Sequence, residues 1–573
     1  RMLLLSSAFA FLSIQHASAV LRSHAQDISR RDASQSSTRL PYFDLPISAI
    51  PIAYDVILTI DTYNFTIDGC AIIRMKATSK LATLSLHSLW LNIGEASLNQ
   101  GSHAIAVKEI LVNETVEQVK FILDEALQDG LEYELKLNYT GYFELSQRGL
   151  YYFETPQQGR NKTLPAVVTQ FEAVHARKVF PCVDVPSYKA AWKIVLIHSS
   201  FYMANANTAL ESSLETEQLS ITRTSFERTM PISSYLVAFT LIPKDHGWML
   251  KHASVSTSFG TVQMAFIFPG YFEPEMSADR IEAAMSAVDE FSDYFNASIG
   301  IRKLDLVVVD LAFDGMENSG LITERFELQE DAYEALKTDR HEIVHQWIGN
   351  KMTTENWGEL WMQEGLTTFI TALNQYSDRD ACSAWYTALS DKGTHLACLE
   401  REGYEECFRN TGRMYTLGPQ FFRMIHAVVG DVAFRNAMVN LLAKYDGRSI
   451  TWKDGMLPEI WASFSEGEQH PLFKEYLLQV PEMVVPFLRV DANETAWTIV
   501  EHTEFSSPVE IPLFYTNGTT DAIWWINTGH QVNKLETSER LSFDTHFFGY
   551  YRLVYTEKAL QRLRSHTNLK LDP

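Results

Sequence analysis

The sequence predicts a multidomain α+β protein with an all-β N-terminal domain, a mainly helical middle domain and a small C-terminal β-sandwich. Three observations support this fold class. The 573 residues are too many for one hydrophobic core. Apolar residues follow strand spacing near both ends of the chain and helical spacing between them. The composition, 46% hydrophobic and 21% charged, excludes a mainly disordered or fibrous chain.

The first 19 residues have the pattern of a secretory signal peptide. Arg1 precedes an apolar run from Met2 to Ile14, and Ala17-Ser18-Ala19 is a small-residue cleavage site. The run is too short to span a bilayer, so we expect a secreted or extracellular protein. Because the chain opens on Arg rather than Met, a membrane-anchored protein is the alternative. Residues 20–39 are polar, lack periodicity and are predicted to be a linker.

Seven N-x-S/T sequons agree with passage through the secretory pathway, and they predict a glycoprotein. Their asparagines are Asn64, Asn113, Asn138, Asn161, Asn296, Asn493 and Asn517.

The N-terminal β domain is predicted over residues 40–245. Runs of alternating or continuous apolar residues, separated by turn residues, predict its strands. The clearest are Tyr54–Ile60, Thr83–His87, Gln118–Leu123 and Tyr133–Leu137.

Helical periodicity dominates the middle domain, predicted over residues 246–482. One buried strand, Leu306–Val309, follows its first helix. The predicted helices are Ala278–Phe295, Arg340–Ile348, Leu360–Asn374, Pro419–His426, Val432–Tyr445 and Lys453–Phe464.

Strand patterns return over residues 483–556 and predict the β-sandwich. Its expected strands are Trp497–Val500, Val509–Tyr515, Ala522–Ile526 and Tyr550–Tyr555. A helix is predicted from Glu557 to Arg564.

Charge and cysteine content narrow the function. A formal net charge of −23 argues against nucleic acid and anionic membranes as partners. Five cysteines are too few and too scattered for a disulfide scaffold, and their spacing matches no cysteine-based zinc motif. A disulfide between Cys398 and Cys407 is a hypothesis.

The sequence His341-Glu342-Ile343-Val344-His345 predicts a zinc site. Histidines four positions apart lie on one helix face, so both imidazoles can reach one metal ion, and Glu342 can act as general base toward a water molecule. Glu364, 19 positions after His345, is the candidate third ligand. Three protein ligands leave a position for water, as in catalytic rather than structural zinc sites. The alternatives are a chance pair of histidines and a solvated carboxylate at position 364.

With other segments, this pattern resembles the aminopeptidase N family of zinc metallopeptidases. The resemblance covers roughly residues 40 to 560. Besides HExxH and Glu364, it rests on Asp314-Gly315-Met316-Glu317-Asn318, Thr169–Ala173, Ala176–Cys182, Pro231–Phe239, Arg413–Gly418 and Gly549–Tyr555.

The resemblance implies a thermolysin-like catalytic domain with one Zn²⁺ per chain and substrates that are peptides with a free N-terminus. It implies that Glu317 binds the substrate α-amine, helped by Glu172 and Gln170. It further implies that Tyr415 stabilises the oxyanion. The substrate backbone would lie along Asp314, Gly315, Met316 and Asn318.

Several positions depart from the family pattern. Asp314-Gly315 replaces Gly-Ala, and Ser319 replaces a tryptophan. The 24 positions from Glu317 to His341 are fewer than usual, which predicts a truncated or rerouted helix before the zinc site. Most of the family's C-terminal helical domain is missing, so residues 557–573 are expected to be only its start.

The sequence therefore predicts a zinc-dependent aminopeptidase. The first alternative is a catalytically impaired family member that acts as a peptide-binding or receptor module. The second is an endopeptidase or another zinc hydrolase with the same metal site. The oligomeric state stays open.

Overall fold

The computed structural model describes residues 45–154, 164–216, 220–244, 247–272, 276–373, 412–464, 470–483, 485–530, 533–537, 539, 541–546 and 548–566. The predicted signal peptide and linker, Asn161 and the hypothetical Cys398–Cys407 disulfide lie outside these residues. The chain divides into two compact units, Arg1–Asp293 with Ser298–Lys351 and Tyr294–Ala297 with Met352–Pro573.

The first unit begins with a β-rich part whose alternating sequence explains its strands. In strand β8 (Glu132–Tyr142), every second residue from Tyr133 to Gly141 is buried, as expected for a strand with one face on the core. The strands are β1 (Ala49–Asp61), β2 (Thr66–Ala77), β3 (Thr83–His87), β4 (Asn92–Gln100), β5 (His103–Ile105), β6 (Val107–Asn113), β7 (Gln118–Leu123), β8 (Glu132–Tyr142), β9 (Gly149–Phe153), β10 (Ala166–Gln170), β11 (Ala191–Ser199), β12 (Tyr202–Ala206), β13 (Leu210–Thr216), β14 (Ile221–Phe226) and β15 (Phe239–Pro243).

These strands form three sheets. The largest has the order β13-β14-β11-β1-β2-β8-β4-β5, and only its β1–β11 pair is parallel among the described residues. The others have the orders β12-β15-β10-β9 and β3-β7-β6. The predicted β-rich N-terminal part is confirmed, and the bounds of β3 and β7 match the predicted strands.

A five-stranded sheet completes the first unit, with the strand order β16 (Trp248–Thr257), β17 (Gly260–Pro269), β18 (Lys303–Val309), β20 (Leu321–Arg325) and β19 (Gly315–Met316). Its strand β18 is buried from Leu304 to Val309 and runs parallel to both neighbours, which explains its continuous apolar sequence. The elements are β16 (Trp248–Thr257), β17 (Gly260–Pro269), α1 (Ala278–Phe295), β18 (Lys303–Val309), β19 (Gly315–Met316), β20 (Leu321–Arg325) and α2 (Ala332–His345).

Helix α2 carries the HExxH motif, and both ends of the predicted helix Arg340–Ile348 were wrong. It begins at Ala332 because the side chain of Asp331 caps it, accepting hydrogen bonds from the backbone N–H groups of Tyr333 and Glu334. It ends at His345 in a tighter turn, where the N–H of Gln346 donates to the carbonyl of Ile343. The zinc motif is therefore preceded by more than two helical turns, whereas the predicted helix began only one residue before it.

The second unit contains the remaining helices and strands. Its helices are α3 (Leu360–Thr371), α4 (Gly412–Val429), α5 (Asp431–Tyr445), α6 (Leu457–Ala462), α7 (Pro471–Gln479) and α8 (Glu557–His566). Its strands are β21 (Met352–Thr354), β22 (Arg448–Ile450), β23 (Phe487–Ala492), β24 (Ala496–His502), β25 (Glu510–Thr516), β26 (Asp521–Asn527), β27 (Asn533–Glu536), β28 (Ser542–Phe543) and β29 (Arg552–Tyr555).

Several predicted helices of this unit have other bounds in the structure. The predicted helix Leu360–Asn374 ends at Thr371, and α5 and α8 differ from their predictions by one and two residues at one end. The predicted helix Pro419–His426 is the central part of α4, which continues through Pro419. The predicted helix Lys453–Phe464 divides into a π-helical turn, Trp452–Met456, and α6. The last strands form two sheets, with the orders β27-β24-β23-β29 and β26-β25-β28. None of the helices in the described part of the chain is long and apolar enough to cross a membrane.

Candidate active site

The two motif histidines meet on one face of α2. Their Nε2 atoms are 2.9 Å apart, and their rings are nearly perpendicular, at 80°. The Nδ1 atom of His345 lies 2.9 Å from the carbonyl oxygen of Ile348, which can only accept a hydrogen bond. This contact places the proton of a neutral His345 on Nδ1 and directs the Nε2 lone pair toward His341.

This geometry suits a shared metal ion. With the His345 proton on Nδ1, the 2.9 Å contact is a hydrogen bond if His341 carries its proton on Nε2; if it does not, two lone pairs face each other and a cation can bind both nitrogens. The donor set of imidazole nitrogens and nearby carboxylates is one that zinc binds well. The residues of the motif therefore fit a zinc ion.

Glu342 lies directly against strand β19. A Cβ atom added to Gly315 would lie 2.5 Å from Oε1 of Glu342, closer than two non-bonded atoms can approach. Glycine at position 315 thus allows the buried carboxylate of Glu342 to contact the backbone of this strand. An alanine at this position would require the end of the Glu342 side chain to shift.

Glu317 is held beside this carboxylate by its own backbone. Its carbonyl oxygen accepts hydrogen bonds from Gln346 Nε2, at 3.1 Å, and from Asn350 Nδ2, at 2.9 Å. Ligand atoms of Glu317, Glu342 and His345 all lie within 4.8 Å of one another, and all three side chains are buried. The structure thus brings together the predicted amine-binding acid, the predicted general base and one predicted zinc ligand.

Glu172 and Gln170 come from the end of β10 and the loop that follows. A carboxylate oxygen of Glu172 lies within 4.8 Å of one of Glu317. Gln170 donates from Nε2 to the sulfur of Met316, at 3.2 Å, and its buried Oε1 has no hydrogen-bond partner among the described residues. Glu172 thus adds a carboxylate beside Glu317, and Gln170 lies against Met316, the residue that precedes Glu317.

The remaining residues of the Asp314–Asn318 segment differ in environment. The carboxylate of Asp314 is mostly exposed and pairs with Arg325 at 2.9 Å, which neutralises its charge. The side chain of Asn318 is fully buried, and neither of its polar atoms has a hydrogen-bond partner among the described residues.

Glu364 and Tyr415 belong to the second unit. Glu364 is buried on α3, which excludes a solvated carboxylate at the end of a helix. Tyr415 lies in the first turn of α4 and is 44% exposed, so it is not a core tyrosine.

The two helices that carry these residues cross at a pair of glycines. A Cβ atom on Gly365 would lie 2.6 Å from the Cα atom of Gly418, so the two backbones are in direct contact there. Gly365 follows Glu364, and Gly418 is one helical turn after Tyr415. The crossing therefore fixes the helix turns that carry both side chains.

A helix with HExxH, buried acids around it and a neighbouring edge strand define the class of zinc metallopeptidases. Two family profiles match this chain: the Peptidase M1 N-terminal domain at residues 50–236 and the Peptidase family M1 domain at residues 280–475. The chain belongs to the peptidase M1 family, which includes the aminopeptidase N type predicted from the motifs.

Several relatives are aminopeptidases by name. The chain is 25% identical to aminopeptidase A of Gloydius brevicauda, over 92% of this chain and 59% of that protein. It is 25% identical to glutamyl aminopeptidase of Bos taurus, over 90% and 56% respectively. It is 28% identical to endoplasmic reticulum aminopeptidase 1 of Homo sapiens, over 64% and 39%. The matches thus span less than two thirds of the length of these relatives.

Some contacts of the site were not predicted from the sequence. Gln346 and Asn350 stand in the segment that follows HExxH, and their closeness to the motif was the only available signal. No signal in the sequence indicated the contact between Gly315 and Glu342, because these residues are 27 positions apart.

Proposed function

We propose that this chain is a zinc-dependent aminopeptidase that hydrolyses the N-terminal peptide bond of peptides. The observation that carries the proposal is the convergence of Glu317, Glu342 and His345 within 4.8 Å. The aminopeptidase names of the relatives support the same activity.

In this proposal, His341, His345 and Glu364 hold one Zn²⁺ per chain. When bound, the zinc ion acidifies a water molecule and polarises the carbonyl group of the scissile bond. The hydrogen bond from His345 Nδ1 to Ile348 fixes the ring and the tautomer that binding requires. Glu364 as third ligand rests on its spacing from the motif, its burial and the family resemblance.

Glu342 serves as general base. Its buried carboxylate takes a proton from the attacking water and passes it to the nitrogen of the leaving amine. The backbone of β19, in contact with this carboxylate at Gly315, supports the substrate backbone together with Asp314, Met316 and Asn318. Tyr415 donates a hydrogen bond from its phenol to the oxyanion, for which removal of one donor typically costs about 10²–10³-fold in kcat.

Glu317, Glu172 and Gln170 bind the substrate ammonium group. Two carboxylates within 4.8 Å of each other repel, and a cation placed between them relieves that repulsion. The unpaired Oε1 of Gln170 offers a further acceptor. An N-blocked peptide would leave these acceptors without their donor, which explains the expected restriction to free N-termini.

The decisive experiment is Glu342→Gln with an aminoacyl anilide as substrate. We expect kcat to fall by at least about 10²-fold, the lower range for loss of a general base, while zinc content stays at one per chain. Glu334→Gln is the matched control, since it makes the same change on an exposed face of the same helix. Full activity of Glu342→Gln would refute the mechanism.

The wild-type chain separates the remaining alternatives. Cleavage of a free peptide but not of its N-acetylated form supports the aminopeptidase, and equal cleavage of both indicates an endopeptidase. A chain that binds zinc and peptide without turnover would be the peptide-binding or receptor module.

We also propose the domain bounds, the architecture of two domains, secretion and glycosylation. The domains span residues 40–245, 246–482 and 483–556, the middle one thermolysin-like and the last a β-sandwich. Contact of Trp497 in β24 with Phe543 in β28, at 5.0 Å between ring centroids, supports packing of the two C-terminal sheets. Secretion and glycosylation are supported by the signal-peptide pattern and by the exposure of five of the six described sequon asparagines.

A further inference from the structure

A buried arginine joins three elements behind the predicted general base. Arg280 lies in the first turn of α1 and is only 4% exposed. Its Nε and Nη2 atoms donate side by side to the two oxygens of Asp339, both at 2.8 Å, and Nη2 also donates to Glu324 at 2.6 Å. Its Nη1 atom donates to Gln329. One planar guanidinium thus fixes carboxylates from two other elements.

The two carboxylates stand on elements that meet at the site. Asp339 lies on α2, one turn before Glu342, so both residues share one side of the helix. Glu324 lies on β20 and is paired directly with Gly315 of β19. Gly315 in turn contacts the carboxylate of Glu342. Arg280 therefore closes a ring of contacts that begins and ends at the general base.

The buried cluster of Arg280, Asp339 and Glu324 fixes the relative positions of its elements more than it stabilises the fold. Burial, followed by repulsion from Asp339, raises the pKa of Glu324 well above its ordinary value. Buried ion networks of this kind are often no more stabilising than apolar side chains of the same size. A side-on pair between a guanidinium and a carboxylate does, however, fix distance and direction, which a lysine cannot reproduce.

We propose that Arg280 is a positioning residue that sets the separation between strand β19 and the carboxylate of Glu342. The role rests on the proposed function, in which Glu342 is the general base and β19 supports the substrate. Gln346 and Asn350 hold the other end of this segment through the carbonyl of Glu317. The strand is thereby attached to the zinc helix at two points, one at each end of the Gly315–Glu317 segment.

The first test measures kcat and KM of the zinc-loaded full chain with an aminoacyl anilide. Arg280→Lys should lower kcat at least tenfold and change KM less than threefold, because displacement of reacting groups by about 1 Å can cost about 10²-fold in rate. Glu324→Leu should act in the same way if the lysine variant does not fold. The single variant Glu324→Gln should keep kcat at the wild-type value. The glutamine amide can accept a hydrogen bond from Arg280 and donate one to Asp339, as a protonated carboxyl does.

Glu290→Gln is the matched control. Glu290 forms a two-pronged ion pair with Arg340, which also links α1 to α2 but does not reach β20. Its loss should leave kcat within twofold of wild type. An equal fall of kcat in Glu290→Gln and Arg280→Lys would overturn the proposal, as would wild-type kcat in both Arg280→Lys and Glu324→Leu.

The second test needs neither zinc nor activity. Gly315→Ala places a methyl group against Glu342 and should lower Tm, because the contacts of Arg280 with Glu324 and Asp339 prevent strand β19 from moving away from α2. In an Arg280→Lys background the Tm loss caused by Gly315→Ala should fall by at least half, and in a Glu290→Gln background it should be unchanged. Equal losses in all backgrounds would overturn the inference. If the wild-type chain lacks aminopeptidase activity, the proposed function fails and this second test alone decides the role of Arg280.

Discussion

The crossing of α3 and α4 offers a sharp test of how these two helices hold Glu364 and Tyr415. At Gly418, an added Cβ atom would lie 2.7 Å from the Cα atom of Gly365 and 3.2 Å from the carbonyl oxygen of Trp361. Both obstacles are backbone atoms of α3, which cannot rotate away as a side chain could. Gly418→Ala must therefore move one helix relative to the other.

The size of the effect follows from these distances. Carbon atoms in contact are usually about 3.5–4.0 Å apart, so the helices must separate by roughly 1 Å at the crossing. Overpacking of this kind costs about 1–3 kcal/mol, and the better helix propensity of alanine offsets about 1 kcal/mol. Because the obstacles are rigid, we expect the upper part of that range and a net loss of ~2 kcal/mol in the free energy of unfolding. The shift also moves the turns that carry Glu364 and Tyr415, so zinc should bind more weakly and kcat should fall by about 10²-fold.

Two measurements check this prediction. Chemical denaturation gives the change in stability, and competition with a chromogenic chelator gives the zinc affinity. Ala427→Gly, on the same helix, is the control: it removes about 1 kcal/mol of helix propensity without changing the helix separation. Zinc affinity should be unchanged in that control. Gly418→Ala with wild-type zinc affinity and an unchanged or higher free energy of unfolding would refute the argument from the helix crossing.

Three further predictions concern other parts of the chain. Burial raises the pKa of Asp544 to about 6, so between about pH 4 and pH 6 the folded chain keeps a proton that the unfolded chain loses. The free energy of unfolding therefore falls by up to ~3 kcal/mol as the pH rises through this range. Asp544→Asn keeps an oxygen to accept from the N–H groups of Phe548 and Gly549, so its stability advantage in urea denaturation should appear at pH 7 and vanish near pH 4, whereas an equal advantage at both would contradict the pKa. Asp331→Ala removes the cap of α2 and should cost about 1 kcal/mol in thermal unfolding, with Asp331→Ser recovering most of it. Removal of zinc by a chelator should stop hydrolysis and lower Tm, and both should recover when zinc is returned.

The elements predicted well from the sequence are those whose pattern is local. The helix Ala278–Phe295 and the strands Thr83–His87 and Gln118–Leu123 have the predicted bounds, because amphipathic periodicity alone marks their ends. The histidine pair was predictable for the same reason, since helix geometry places positions i and i+4 side by side.

The start of α2 could not be predicted from apolar spacing. Only Ala335 is buried in its first two turns, and the position of its first residue is set by the backbone N–H groups of Tyr333 and Glu334, which donate to the cap Asp331. The interval of 24 positions between Glu317 and His341 suggested a truncated helix, yet it holds a strand, a short 3₁₀ turn and almost three helical turns. Length alone did not determine how the chain fills that interval.

The contacts that align the site are long-range and leave no periodic signal. A glycine that admits a carboxylate, an arginine that joins three elements and a glycine pair at a helix crossing each depend on residues that are distant in sequence. Such contacts arise from packing, which a pattern along one chain does not encode.

The segment after HExxH then has a physical role beyond ending the helix. Because α2 ends in a tight turn at His345, Gln346 and Asn350 can both donate to the carbonyl of Glu317. His345 meanwhile uses its Nδ1 atom to hold the same turn, at the carbonyl of Ile348. The proposed zinc ligand His345 and the proposed amine-binding acid Glu317 are therefore fixed by one short stretch of backbone. This explains how both groups can keep a constant separation although 28 positions divide them in sequence.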